Sequence, residues 1–272
     1  MVHLRRGAMR VLSFLLIFVP ALAAQNPSAS NLPSRSEPVV PAVVQLLAVG
    51  PGGKGQNHEC AATGFLVNED GYIITNAHVV EKSRECLAQS PGAKIVARLA
   101  NFKAAHFHAT EAGTAQPSEA VSAAVSCNVV GVDDIHDLAI LKTERPFRTG
   151  TRGEAIPYAF LDTTPVTSGA RVKVTGHPAF TWVALTQSGH IIGRKSFPLF
   201  EQNSKPTNMI VMDIPLKRGN SGSPVYLEGD GGVVGVAERQ DTSDIAKTLA
   251  VPIRYAIDLL NRFAVKWYAD EN

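Results

Sequence analysis

The stretch ATGFLVNEDGYIITNAHVV, Ala62 to Val80, decides the fold. An apolar run ends at Val67, the cluster Asn68-Glu69-Asp70-Gly71 carries turn chemistry, and a second apolar run follows it. Two short runs rich in β-branched and aromatic residues around such a cluster predict a β-hairpin. His78 then stands at the end of the second strand, with Ala77 before it and Val79-Val80 after it. A histidine in that seat either caps the strand or serves as a rigidly held base.

The pattern repeats along the chain. From Val39 onward about a dozen β-type runs are broken by glycine, proline and asparagine, among them VVPAVVQLLAV, AKIVARLA, CNVVGV, DLAILKT, ARVKVTGH, TWVALTQSG, HIIGRKS, NMIVMDI, GSPVYLEG and GVVGVAE. No alternation of strands with helical segments appears, so the expected class is all-β. A weak break at RPFRTGTRGEAIP, Arg145 to Pro157, divides the strands into two groups of about six. Two six-stranded antiparallel β-barrels fit that count, one over about 41–147 and one over about 148–268, forming a single domain over 41–268. The tail PIRYAIDLLNRFAVKWYA, Pro252 to Ala269, spaces Tyr255, Ile257, Leu259, Leu260 and Phe263 for a closing amphipathic helix. Residues 101–121, polar and alanine-rich, read as a long inserted loop.

The first 23 residues form a different unit. Arg5, Arg6 and Arg10 precede an apolar run from Val11 to Val19 and the small-residue site Ala21-Leu22-Ala23, the pattern of a cleavable signal peptide rather than a membrane span. Residues 24–40 are rich in serine, proline and asparagine and read as a flexible linker. Loss of the leader removes three arginines and no acids, leaving 23 basic residues against 24 acidic ones. That balance gives no electrostatic case for nucleic acid, and no stable membrane insertion is expected after cleavage. In an exported chain with three cysteines, Cys60 and Cys86 flank the hairpin and its following segment and could staple them, with a pairing to Cys127 as the alternative.

The chemistry is carried by RGNSGSPV, Arg218 to Val225. Gly219, Asn220, Gly222 and Ser223-Pro224 make a tight turn with Ser221 at its apex. It is either an ordinary surface turn or a nucleophile elbow whose Gly219 and Ser221 amides converge as an oxyanion hole. A nucleophilic serine needs a base and a group to orient that base. His78 is the base candidate. Of Asp133, Asp134 and Asp137 in GVDDIHDLAILK, Asp137 runs directly into an apolar strand and has the rigid, water-poor seat that the orienting carboxylate requires. His106 and His108 lack a third ligand nearby, so no metal is expected, and no cofactor motif is present.

Taken together and in this order, ATGFLVNEDGYIITNAHVV, DLAILK, VTGHP, TQSGHIIGR and GNSGSPV resemble the trypsin-like serine peptidases of bacteria, in particular the protease domain of HtrA/Deg-type enzymes. The resemblance covers roughly residues 41–262. It implies a chymotrypsin fold, with His78 as general base, Asp137 as its orienter, Ser221 as nucleophile and the Gly219 and Ser221 amides as oxyanion hole. It also implies protein or peptide substrates and a bacterial, periplasmic or secreted location. Gly222-Ser223 departs from the two glycines usual after the serine in HtrA-type enzymes and resembles glutamyl endopeptidases. No histidine stands in GVAERQ, Gly235 to Gln240, so their glutamate specificity does not carry over. Pro215, Arg218, Ala237 and Glu238 are expected to line the primary specificity pocket. The chain is expected to lack the PDZ domain common in HtrA proteins. Rival readings are a silent protease-fold binding module and a protease held inactive until a partner orders its loops.

Overall fold

A computed structural model describes residues 42–50, 60–88, 92–99, 124–149, 154–199, 206–229 and 231–268. The expected signal peptide, linker and 101–121 loop lie outside these residues.

The hairpin read from the sequence forms. β2 (Ala62–Leu66) and β3 (Tyr72–Thr75) pair antiparallel, with Phe65 opposite Ile74. The Asn68 side-chain oxygen accepts the amides of Asp70 at 3.1 Å and Tyr72 at 3.3 Å, and Gly71 supplies the left-handed φ of 88° that closes the turn. Around it β1 (Val43–Val49), β4 (Lys94–Leu99), β5 (Val125–Asp133) and β6 (Leu138–Thr143) complete a closed barrel in the order β1-β2-β3-β6-β5-β4. Phe65, Leu46, Ile73, Ile140 and Leu141 fill it and are fully buried; each contributes on the order of 1.5–3 kcal/mol by leaving water.

After a small hairpin of β7 (Arg148–Thr149) and β8 (Glu154–Ala155), a second closed barrel follows. Its strands are β9 (Arg171–Gly176), β10 (Leu185–Phe197), β11 (Thr207–Met212), β12 (Pro224–Leu227), β13 (Val233–Asp241) and β14 (Asp244–Pro252), in the order β10-β11-β14-β13-β12-β9. Val172, Val174, Ile191, Ile210, Met212 and Val225 form its core. The protein is all-β with two six-stranded antiparallel barrels and a C-terminal helix.

Four local readings are corrected. LTQSG, the second half of TWVALTQSG, and HIIGRKS belong to one strand, β10, which runs on through Gly189 and shifts register between Ile191 and Gly193, while Thr181 to Ala184 precede it. Strand β14 was absent from the sequence reading, because its first four residues carry Asp244 and Lys247 and are not buried, so only its second half looks like a strand. The residues after Asn76 do not continue β3 but form α1 (Ala77–Ala88). Val79 and Val80 are poor helix formers, and here packing of Ala77, Val79, Val80 and Ser83 against the barrel overrides propensity. The closing helix α2 (Ile253–Arg262) stops well short of Ala269, with Ala264 beyond it at a φ of 52°. It packs against β5 and β6 as well as β13 and β14, so this end of the chain also fastens the first barrel.

Candidate active site

Asp137 sits at the mouth of β6 in the left-handed region, with a φ of 53°, an uncommon conformation that aspartate tolerates better than most residues. Its carbonyl accepts the Asn76 side-chain amide at 2.9 Å, and the residue is fully buried. The turn before it is an Asp133 construction. Oδ1 accepts the Ile135 and His136 amides, while Oδ2 takes His136 Nδ1 at 2.9 Å and Arg262 at 2.7 Å. Asp133 thereby serves the turn and α2, leaving Asp137 to face α1.

His78, in the first turn of α1, meets that carboxylate twice. Its backbone amide donates to Asp137 Oδ1 at 2.8 Å and its ring Nδ1 donates to Oδ2 at 2.7 Å. This fixes the tautomer with Nδ1 protonated and leaves Nε2 as the basic nitrogen. Burial disfavours a charged His78 ring, but the hydrogen bond and charge of Asp137, aided by Glu238, outweigh it and hold the imidazole above its ordinary value of 6.5.

Ser221 comes from the turn between β11 and β12, where Gly219 and Gly222 adopt φ of 94° and 84°. A side chain at Gly219 would run into the His177 carbonyl, and one at Gly222 into the Thr63 carbonyl. Glycine is required by both backbone geometry and space. Two concavities of about 250 and 300 Å³ meet at this point, and both are lined by His78, Arg218 and Ser221. The Ser221 hydroxyl donates to the Glu238 carbonyl at 3.1 Å. Among the described residues, neither the Gly219 nor the Ser221 amide is engaged by a backbone acceptor.

The larger concavity is walled by Leu216, Lys217, Arg218, Asn220, Ala237, Glu238, Arg239 and Gln240. Arg218, Ala237 and Glu238, three of the residues expected to line a specificity pocket, stand together on this wall. Pro215 is exposed between buried Ile214 and Leu216 and lines neither of the two concavities. Glu238 is buried, and its carboxylate, His78 and Asp137 lie within 4.8 Å of one another. Burial and the Asp137 charge push the Glu238 carboxyl upward, while Arg239 opposes this through contacts of 2.5 and 2.6 Å. A His-Asp-Glu set of this kind has donors suited to a divalent ion, yet each carboxylate is engaged, Asp137 by His78 and Glu238 by Arg239.

Cys60 and Cys86 are joined, their Cα atoms 6.7 Å apart, which ties the last turn of α1 to the approach to β2. Cys127 is a buried free thiol, pushed by burial to about 12. His106 and His108 lie outside the described residues. The sequence reading passed over Thr63, Gln45 and Arg98, polar residues inside apolar strands, which was the one signal available.

Two closed antiparallel barrels with a cleft between them are the architecture of chymotrypsin-like proteins. The sequence pattern of the trypsin-like peptidase domain matches residues 62–236, and the chain belongs to that family. A relative from Hahella chejuensis, described as a probable periplasmic serine endoprotease, DegP-like, is 27% identical over 213 residues, 76% of this chain and 36% of its own length. The chain therefore spans little more than a third of that relative. The active form of the Rv3671c protease from M. tuberculosis superposes with a TM-score of 0.58 at 18% identity, covering 85% of each chain. The serine endoprotease from Yersinia pestis gives 0.55 at 18% identity, over 83% of this chain and 63% of its own. Among the described residues no helix is long and apolar enough to cross a membrane.

Proposed function

We propose that the chain is an exported serine endopeptidase that hydrolyses peptide bonds of protein substrates, with residues 1–23 as its cleaved leader and 41–268 as its protease domain. The observation that carries this reading is the doubly bonded His78–Asp137 pair opening onto the concavities it shares with Ser221. His78 Nε2 takes the Ser221 proton as the hydroxyl oxygen bonds to the substrate carbonyl carbon. The Gly219 and Ser221 amides stabilise the oxyanion. The C–N bond then breaks, and His78 returns the proton to the leaving amine. Water enters by the same route, and cleavage of the acyl-oxygen bond restores Ser221. The DegP-like relatives, described as periplasmic, support the export reading.

The Ser221 hydroxyl bonded to the Glu238 carbonyl favours a second reading, a protease at rest until substrate or a partner turns the serine toward His78. Casein digestion by the wild-type protein and by Ser221→Ala tests the proposal. Cleavage by the first and none by the second supports it. Equal cleavage by both, or none by the folded wild type even with prolonged exposure to substrate, overturns it.

A further inference from the structure

Thr63 on β2, Gln45 on β1 and Arg98 on β4 are direct cross-strand neighbours, Thr63 opposite Gln45 and Gln45 opposite Arg98. All three are buried, at 0%, 1% and 4% exposure, in strands that are otherwise mostly apolar. Such a row is expensive unless every group finds a partner, and most of the partners here belong to the other barrel. The Thr63 hydroxyl donates to the Gly219 carbonyl at 2.7 Å and accepts the His177 amide at 3.1 Å. Its backbone amide donates to the Ser221 carbonyl at 3.0 Å. The Gln45 side-chain amide donates to the Thr181 carbonyl at 3.1 Å. Arg98 donates to Gln45 Oε1 and to the Trp182 carbonyl, and its guanidinium lies over the Trp182 ring. Burial lowers Arg98 to about 10, so it stays charged at neutral pH, and no carboxylate pairs with it among the described residues.

The segment held this way, His177 to Trp182, is itself strained. Ala179 and Phe180 are consecutive residues at φ of 49° and 61°, a conformation that persists only where the surroundings impose it. Its product is one hydrogen bond, from the Ala179 amide to the Arg218 carbonyl at 2.7 Å. In a trans peptide the carbonyl and the following amide point in opposite directions. Turning the Arg218 carbonyl toward Ala179 therefore turns the Gly219 amide away from it, and the Thr63 hydroxyl locks the next peptide plane.

From this we infer that the polar row Thr63-Gln45-Arg98 of the first barrel is a positioning device for the oxyanion turn of the second, with Thr63 acting directly and Arg98 and Gln45 through the 177–182 segment. The inference rests on the endopeptidase reading of the turn. It makes preorganisation of the hole depend on the seating of one barrel on the other.

Thr63→Val keeps the shape and removes the hydroxyl, and Thr63→Ser restores it. Loss of one oxyanion donor lowers turnover by roughly 10²–10³-fold. A misaimed donor predicts a fall of about tenfold to a hundredfold in kcat for Thr63→Val, with KM little changed and recovery in Thr63→Ser. Thr143→Val removes another buried hydroxyl, one that donates to the Gly71 carbonyl away from the cleft, and should lower thermal stability without lowering kcat. Arg98→Met should resemble Thr63→Val. If Thr63→Val folds and turns over like the wild type, or if Thr63→Ser is as impaired as Thr63→Val, the inference is overturned. Amide exchange at Ala179 and Asn220, whose amides donate to the Arg218 and Lys217 carbonyls, gives a readout independent of catalysis. Faster exchange in Thr63→Val, or in Thr63→Ala if the valine variant does not fold, supports the device even in a protein that cleaves nothing, and unchanged exchange overturns it. Absence of turnover in the wild type would count against the endopeptidase reading alone.

Discussion

The Asp137 carboxylate accepts two hydrogen bonds from His78, one from the ring Nδ1 at 2.7 Å and one from the backbone amide at 2.8 Å. The pair orients the ring and anchors the helix that carries it. Asp137→Asn would keep the shape but place a donor where an acceptor is needed, favouring the tautomer in which Nε2 holds the proton. The expected loss in kcat is about 10⁴-fold by the general behaviour of such triads. Asp134→Asn, in the exposed turn, should be nearly neutral, and kinetics on the two purified variants checks the assignment.

The same contacts set the pH dependence. As the proposed base His78 must start neutral, and its surroundings hold it above its ordinary value of 6.5, so kcat/KM should fall as pH drops through a value higher than that of a free histidine. Removing the nearby charge in Glu238→Gln should move this limb downward. The effect on stability has the opposite sign. A group whose folded pKa exceeds its unfolded value stabilises the fold most below the unfolded value, and that contribution is lost as pH rises through the folded value. Rate profiles and denaturation midpoints over the same pH range would separate the two.

The bond between Cys60 and Cys86, 26 positions apart, closes a span that includes β2, β3 and most of α1. Replacing both cysteines with serine should cost about 3–4 kcal/mol by loop-closure entropy and loosen the helix that carries His78. Thermal unfolding with and without reductant measures it: the wild type should fall to the level of the double variant when reduced.

Gly176 ends β9 beside the Gly219–Gly222 turn, where an added Cβ would lie 2.6 Å from Asn220 Oδ1 and 3.0 Å from Thr63 Oγ1, and would collide with Ser223 Oγ. Gly176→Ala should therefore depress turnover through the turn rather than through the barrel core. The observable is a kcat loss larger than the accompanying shift in unfolding midpoint would predict.

The barrels were legible because strands that alternate or run apolar between glycine and proline breaks announce themselves locally. The pairing of His78 with Asp137 and the tight turn at Ser221 were legible because each residue stands at a junction of apolar strand and turn. What escaped was decided by contacts distant in sequence. Helix α1 forms on residues that look like strand because the barrel wall receives Val79 and Val80. The polar half of β14 is held by pairing with β13. Nothing local shows that the Glu238 carboxylate is buried beside His78, and Thr63, Gln45 and Arg98 gain meaning only when the second barrel supplies their partners.

The central claim is that His78 activates Ser221 for acyl transfer. Its most direct test is intact-mass analysis after exposure of the purified protein to a fluorophosphonate probe, alongside Ser221→Ala and His78→Ala. The account predicts a single adduct on the wild type, none on Ser221→Ala and greatly slowed labelling of His78→Ala. A folded wild type that stays unlabelled with casein present, or an adduct of equal yield on Ser221→Ala, would contradict it.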